Sequence, residues 1–305
     1  MGIIILLFSI VFTPPSSWIK IMRWKGKPQS KNVEDLRGRG GLMKRKSTSM
    51  GGIGLFIMLL LYLFFGQGQN FLDFTGTPTQ QNETSNQTRG SGKADEAKEF
   101  IAVILKYSEE TWGDIFARSN IRYQEPKLRI FSNSVTSACG RTSSAAGPFY
   151  CPGDNNIYID PTFFSELDKM GGKGDFSKAY VIAHELGHHI QSLLGISAKV
   201  TRMQQRMSKE KANQMSVRIE LQADCYAGVW VHHTEKKHKM LEHGDIEEAI
   251  NAAYVIGDDH MQKRAGMRVN TASFTHGSSK QRAHWLKIGM LHGSVSKCDT
   301  FADLR

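Results

Sequence analysis

An uncharged apolar run divides this chain and limits how the rest of it can fold. Residues 50–66 read MGGIGLFIMLLLYLFFG and contain no charged side chain. The run has no polar face, which argues against an amphipathic helix packed on a soluble core. Extended through Ser47, Thr48 and Ser49, it reaches the length of about 20 residues that a bilayer crossing needs. We therefore predict a transmembrane helix over residues 47–66.

The net charge of +10 is concentrated beside this run. Residues 20–50 carry ten Lys or Arg against two Asp or Glu, and the next basic residue after Lys46 is Arg89. Such a local excess indicates membrane topology rather than a nucleic-acid-binding face. The positive-inside rule then predicts a single-pass protein, with its N-terminus in the cytoplasm and the chain after residue 67 outside it.

The same run sets the segment boundaries. The apolar stretch 2–12 is short and follows no basic residue, and Met22 is a more natural start, so we interpret residues 1–21 as an upstream start extension. The segments after it are a basic cytoplasmic tail (22–46), the transmembrane helix (47–66), a flexible linker (67–93) and a folded domain (94–305).

Periodicity within the domain predicts an α+β fold, mostly helical with a small sheet early in the domain. Helices are expected over about 95–117, 177–194, 210–240 and 245–264, and from His276 to about 291. Short strands are expected at 128–132 and 156–160.

Four cysteines are present, Cys139, Cys151, Cys225 and Cys298. An even number is typical of disulfides in an oxidising compartment, and three connectivities are open. A local bridge between Cys139 and Cys151 is favoured because these two bracket a Gly/Ser/Ala-rich loop. Isolated buried thiols are the alternative.

The predicted helix 177–194 contains the sequence VIAHELGHHIQ. His184 and His188 lie one turn apart on one helical face, where both imidazoles can bind a single tetrahedral Zn²⁺. Glu185 projects about 100° round the helix and can act as general base on a metal-bound water. The alternative is a helix that carries surface histidines, which is our interpretation of the adjacent His189.

A catalytic zinc needs a third protein ligand. Gln191 and Leu194 stand where the metzincin extension requires Gly and His, so that class is excluded. Downstream, Glu220 and Asp224 share a helical face, and the residues that flank them are mostly apolar. This matches the arrangement of gluzincins, in which Glu completes the zinc shell and Asp supports a ligand histidine. Two carboxylates on a solvated helix face are the alternative.

Together these motifs resemble the neutral zinc metallopeptidase family of bacterial membrane-anchored proteins, the YpfJ-like proteins. The matching stretches extend from Met22 to the C-terminus, and they are MRW, NVED, ACG, GPFYCP, the run 157–164, HELGHHIQ, ELQADCYAGVW, and FTHGSS ahead of Gln281 and Arg282. The resemblance implies a zincin-like catalytic domain with Zn²⁺ as cofactor, placed in the periplasm by an inner-membrane anchor. Residues 1–21 depart from the pattern.

Metal-assisted peptide hydrolysis is the predicted chemistry. Glu185 transfers the proton of the attacking water, and His276 is the first candidate for the donor that stabilises the oxyanion. The alternative for His276 is a structural position next to a helix cap, since Ser278 or Ser279 can cap the next helix. Tyr226 and Tyr254 are weaker candidates for the donor.

Expected partners are a peptide or protein substrate and the lipid bilayer, and not nucleic acid. By analogy with other zincins, the strand around Ile157–Asp160 is expected to be the edge that binds an extended peptide. Five further histidines are interpreted as ordinary surface residues, namely His232, His233, His238, His243 and His260. Two other functions stay open: a zinc amidase acting on a cell-wall component, and a membrane-tethered binding or chaperone protein that keeps zinc without turnover.

Overall fold

The computed structural model describes residues 22–38 and 91–302. These residues form an α+β fold that is mostly helical with a small sheet, as the sequence predicted. The start extension, the predicted transmembrane helix at 47–66 and most of the predicted linker lie outside the described residues. Within the described ranges, no helix combines the length and the apolar character that crossing a membrane requires.

The predicted helices are present, and two short ones were not predicted. The helices are α1 (Ser91–Arg118), α2 (Thr162–Met170), α3 (Asp175–Leu193), α4 (Ile196–Gln204), α5 (Lys209–His238), α6 (Asp245–Val255), α7 (Asp258–Arg264) and α8 (Ser279–His292). The helix expected over 245–264 is instead two, α6 and α7. At the break between them, a β-carbon on Gly257 would lie 2.3 Å from the amide nitrogen of Ser279, so the chain turns where it packs against the start of α8.

A four-stranded sheet covers one side of the helices. Its strand order is β1 (Val33–Asp35), β2 (Lys127–Ile130), β6 (Asn156–Ile159) and β5 (Phe149–Cys151). The first three strands are parallel, and β5 is antiparallel to β6. All four residues of β6 are buried, as expected of a strand inside a covered sheet. The strands β3 (Ser134–Ser137) and β4 (Gly140–Ser143) form a separate hairpin.

All four cysteines are paired in disulfides. Cys139–Cys151 joins the β3–β4 hairpin to β5, and Cys225–Cys298 joins α5 to the C-terminal segment. The local bridge that the sequence favoured is confirmed, and the alternative of isolated buried thiols is wrong.

Residues 22–38 belong to the folded domain. Met22 and Trp24 are buried in the main core, where Trp24 packs edge-on against Phe100 of α1 with ring centroids 5.2 Å apart. The indole N–H of Trp24 donates to Asp175 at 2.8 Å, and β1 pairs with β2. The predicted basic tail at 22–46 and the domain boundary at residue 94 are therefore wrong for residues 22–38.

This packing also corrects the predicted topology. Gly38 and Ser91 flank the undescribed residues 39–90 and belong to one folded body. Both therefore lie on the same side of any membrane, because one crossing between them would separate β1 from β2. A cytoplasmic 22–46 segment combined with a domain on the opposite side is incompatible with this fold.

Helix α3 is the central helix, and a glycine in it sets the position of α5. Ile182, Leu186 and Ile190 are fully buried. A β-carbon on Gly187 would lie 2.8 Å from the carbonyl oxygen of Ala223, which is closer than real β-carbons approach. The glycine therefore lets α5 lie directly against α3, which brings the histidines of α3 to the carboxylates of α5.

Candidate metal centre

Three side chains of α3 and α5 direct ligand atoms at one point. The Nε2 atoms of His184 and His188 lie 3.2 Å apart. One carboxylate oxygen of Glu220 lies 3.1 Å from Nε2 of His184, and the other lies 3.5 Å from Nε2 of His188. Among the described residues, the ligand atoms of these three side chains lie close enough together to hold one metal ion. The structure thus brings together the three ligands that the sequence proposed.

Asp224 holds the ring of His184. Its Oδ1 accepts the Nδ1–H of His184 at 2.8 Å and the hydroxyl of Tyr180 at 2.5 Å. With the proton on Nδ1, the lone pair of Nε2 is free for a metal. Burial works against a charged imidazole, but the carboxylates of Asp224 and Glu220 outweigh it and raise the pKa of His184 to about 9.

Arg282 of α8 in turn holds Asp224. Its Nε and Nη2 donate to the two carboxylate oxygens at 2.9 Å each, and Nη2 lies 3.2 Å from the Tyr180 hydroxyl. Burial disfavours the charged carboxylate, but Arg282 and His184 outweigh it and lower the pKa of Asp224. In the sequence, Arg282 is marked only by the family resemblance, and no motif marks Tyr180.

Gln191 holds the ring of His188. Its Oε1 accepts the Nδ1–H of His188 at 2.9 Å, which again leaves Nε2 with its lone pair towards the shared point. Its Nε2 donates to the carbonyl oxygen of Ile219 at 2.7 Å. In the sequence, Gln191 serves only to exclude one class of zinc site. The signal that could have identified it is its position three residues after His188, on the same helical face.

Glu185 lies beside this group and is buried. Burial lowers the pKa of His188, but the Glu220 carboxylate outweighs it, and the charge of Glu185 adds to the rise. Burial also disfavours the charged form of Glu220, yet the two histidines outweigh it and hold its pKa well below the usual range. No hydrogen bond from the described residues occupies the Glu185 carboxylate, which leaves it available as a proton acceptor.

His276 lies in a loop that one buried carboxylate organises. Oδ2 of Asp258 accepts the backbone N–H groups of Thr275, His276 and Gly277 at 2.8, 2.7 and 2.9 Å. The other oxygen of Asp258 lies 3.2 Å from Nδ1 of His276. Burial opposes a charged ring, but Asp258 and the Glu220 carboxylate outweigh it and raise the pKa of His276. The predicted cap is also present, because Ser278 and Gln281 form a capping box at the start of α8.

The donor set fits a zinc ion. At zinc–nitrogen distances of about 2.0–2.1 Å, two ligands of a tetrahedral ion lie about 3.3–3.4 Å apart. The two Nε2 atoms are separated by 3.2 Å. With neutral imidazoles, the charges of Glu220, Asp224 and Arg282 leave a net negative charge in a largely buried site, and Glu185 adds to it. A divalent cation would neutralise that charge, which is otherwise costly to bury.

Other predicted candidates lie elsewhere. Tyr226 packs in a separate apolar cluster, 5.8 Å from Trp112 between ring centroids, and Tyr254 is 43% exposed. His189 is not a surface residue as predicted. It is buried, and its Nε2 donates to the carbonyl oxygen of Gln124 at 2.7 Å.

The five histidines that were interpreted as surface residues do not join the metal cluster. His232 and His233 are half-buried and donate to the carbonyl oxygens of Met290 and Gly293, at 2.8 and 2.7 Å. His238 stacks on Tyr107, His243 is exposed, and His260 lies half-buried in α7.

The strand expected to bind substrate is not an edge. β6 lies between β2 and β5 and is hydrogen-bonded on both sides, so the prediction for Ile157–Asp160 is wrong. The edge strand on that side is β5. The hydroxyl of its Tyr150 lies 3.3 Å from Nδ1 of His189 on α3.

A cavity of about 720 Å³ opens beside α5. It reaches Leu221, the residue after Glu220, and Ser278, which follows His276 by two positions. Val217, Phe274 and Trp285 supply apolar walls. The cavity is large enough for the side chain of a bound peptide.

Comparisons with known proteins identify the family of this chain. A family model described as "Putative neutral zinc metallopeptidase" matches residues 22–301. The chain is 44% identical to the uncharacterized protein YpfJ of Escherichia coli (strain K12) over 287 residues, which cover 92% of this chain and 99% of that protein. It is 42% identical to the uncharacterized protein Rv2575 of Mycobacterium tuberculosis (strain ATCC 25618 / H37Rv) over 191 residues, which cover 59% of this chain and 64% of that protein. No solved structure matches. Because the family model spans nearly the whole chain, the chain belongs to the neutral zinc metallopeptidase family.

Proposed function

We propose that this protein is a zinc-dependent peptidase that cleaves peptide bonds by general-base hydrolysis. The observation that carries the proposal is the convergence of His184, His188 and Glu220 on one point, with the buried carboxylate of Glu185 beside them. Each ligand histidine has its Nδ1–H taken by its own acceptor, so both Nε2 lone pairs are directed inward. Ligands oriented in this way are typical of a site built for a metal.

The proposed roles of the side chains follow from these contacts. Zinc bound by the three ligands would lower the pKa of a coordinated water towards 7 and polarise the scissile carbonyl. Glu185 accepts the proton of the attacking water and delivers it to the leaving amine. His276 donates a hydrogen bond to the oxyanion, and Asp258 orients its ring through Nδ1.

We also propose that the domain lies in the periplasm and is held at the inner membrane by residues 47–66. The two disulfides support an oxidising compartment. The packing of Trp24 and β1 requires residues 22–38 to share that compartment with the rest of the domain.

The decisive experiment is the variant Glu185→Gln in the full-length protein. We expect it to bind zinc like the wild type and to lose casein cleavage by about 10²–10⁴-fold, since it lacks only the general base. Zinc content is measured by atomic absorption and cleavage by release of labelled peptides. Full cleavage by the variant would refute the mechanism. Zinc-bound wild-type protein that cleaves peptidoglycan fragments but no peptide would indicate an amidase.

A second variant, His276→Phe, tests the oxyanion donor. We expect kcat to fall by about 10²–10³-fold with zinc content and KM little changed, because the interaction forms only in the transition state. A change confined to KM would instead place His276 in substrate binding.

A further inference from the structure

A row of side-chain amides connects the C-terminal segment to the metal centre. The carbonyl oxygen of Cys298 accepts from Nε2 of Gln222 at 2.9 Å. Oε1 of Gln222 accepts from Nε2 of Gln191 at 3.2 Å. Oε1 of Gln191 accepts the Nδ1–H of His188 at 2.9 Å. The row therefore ends on a proposed metal ligand.

Two backbone carbonyls determine the direction of every bond in this row. A carbonyl oxygen can only accept, so Gln222 must turn its NH₂ group to Cys298, and Gln191 must turn its NH₂ group to Ile219. Each amide oxygen then faces the next member of the row. The last acceptor in the row, Oε1 of Gln191, can only accept a hydrogen bond from Nδ1–H of His188, so the neutral ring carries its lone pair on Nε2.

The first member of the row is fixed in place by a covalent bond. Cys298 is disulfide-bonded to Cys225, which lies on α5 next to Asp224. The segment is tied to α5 a second time, because Arg218 donates to the carbonyl oxygen of Thr300 at 2.7 Å and the Thr300 hydroxyl donates to the carbonyl oxygen of Arg218 at 2.8 Å. Gln222, Gln191 and Cys298 are all buried, so water does not compete for these bonds.

We propose that the disulfide-bonded C-terminal segment is part of the support of the metal centre, with Gln222 and Gln191 as positioning residues for His188. The proposal rests on the proposed function for the identity of the metal. The amide row itself does not depend on catalysis. Partners of this kind are worth about 10–100-fold in metal affinity when a ligand histidine loses them.

The test measures zinc affinity by competition with a chelator and the His188 tautomer by ¹⁵N NMR of the metal-free, full-length protein. We expect Gln191→Met, which removes the acceptor for Nδ1–H, to weaken zinc binding by about 10–100-fold. Gln222→Met and the double variant Cys225→Ser/Cys298→Ser should both weaken zinc binding, and combining all three substitutions should weaken it no further than the stronger of the two. The matched control is Cys139→Ser/Cys151→Ser, which removes the other disulfide and should leave zinc affinity unchanged.

Unchanged zinc affinity and an unchanged His188 tautomer in folded Gln222→Met would overturn the proposal. If that variant does not fold, Gln222→Asn, which shortens the side chain but keeps it polar, decides in the same way. Wild-type protein that binds no zinc would refute the proposed function, while the tautomer measurement would still test the amide row.

Discussion

Gly187 of α3 faces Ala223 of α5 so closely that a β-carbon on the glycine would lie 2.9 Å from the Cα of Ala223. Both residues belong to the motifs that carry the metal ligands. Gly187 precedes His188, and Ala223 lies between Glu220 and Asp224. The distance between the two helices therefore sets how closely the carboxylate of Glu220 approaches the imidazoles.

The first prediction concerns Gly187→Ala. The added methyl group forces α3 and α5 apart, which we expect to cost about 1–3 kcal/mol of unfolding free energy and to lower zinc affinity. Urea unfolding of the metal-free protein and chelator competition measure the two effects. The control is Gly113→Ala on α1, where a β-carbon meets nothing within 4 Å, and it should gain about 0.5–1 kcal/mol. Equal zinc affinity in both variants would show that helix spacing does not control the site.

The second prediction concerns the buried pair Arg282–Asp224. Arg282→Met leaves the Asp224 carboxylate buried without its cation, and we expect a loss of about 3–5 kcal/mol in unfolding free energy. The double variant Asp224→Asn/Arg282→Met should recover part of that loss but should bind zinc weakly, because His184 no longer has a carboxylate acceptor. Urea unfolding is measured without metal. Strictly additive losses of unfolding free energy for the two substitutions would argue against a coupled pair. The exposed pair Glu166–Lys169 is the control, and breaking it should change the unfolding free energy little.

The third prediction is a pH dependence of the metal-free protein. The pKa of His184 is about 9 in the folded chain and about 6.5 in an unfolded one. The folded state therefore holds this proton more tightly, so the stabilisation is complete below about pH 6.5 and is lost as the pH rises to about 9. The pKa of His188 is shifted in the same direction. We expect the urea midpoint of chelator-treated protein to fall between pH 6.5 and 9, and His184→Gln should flatten that fall.

Much of the metal centre could be predicted because its ligands follow helical spacing. His184 and His188, and likewise Glu220 and Asp224, are one turn apart, so each pair could be placed on one helical face from the sequence alone. Arg282 and Gln222 act through contacts with residues far away in the sequence, and no local pattern distinguishes them from ordinary polar residues. Their roles required the three-dimensional structure.

The N-terminal segment was mispredicted because its composition outweighed its few apolar residues. Its lysines and arginines are typical of a solvated tail, whereas Met22 and Trp24 are buried and the three residues of β1 pair with a strand more than ninety positions later. A strand of three residues, all of them half-buried, shows no recognisable alternation of apolar and polar positions.

The fourth prediction follows from that packing and concerns membrane topology. Single cysteines placed at the exposed positions Lys27 and Met267 would be the free thiols to label, because the four native cysteines are paired. A membrane-impermeant maleimide added to intact spheroplasts should label both positions to the same extent, since β1 and β2 are parts of one sheet. Labelling after lysis shows that both thiols are reactive. If only Met267→Cys is labelled in intact spheroplasts, the result would support the originally predicted single crossing at residues 47–66. It would also mean that residues 22–38 do not pack against the domain of their own chain.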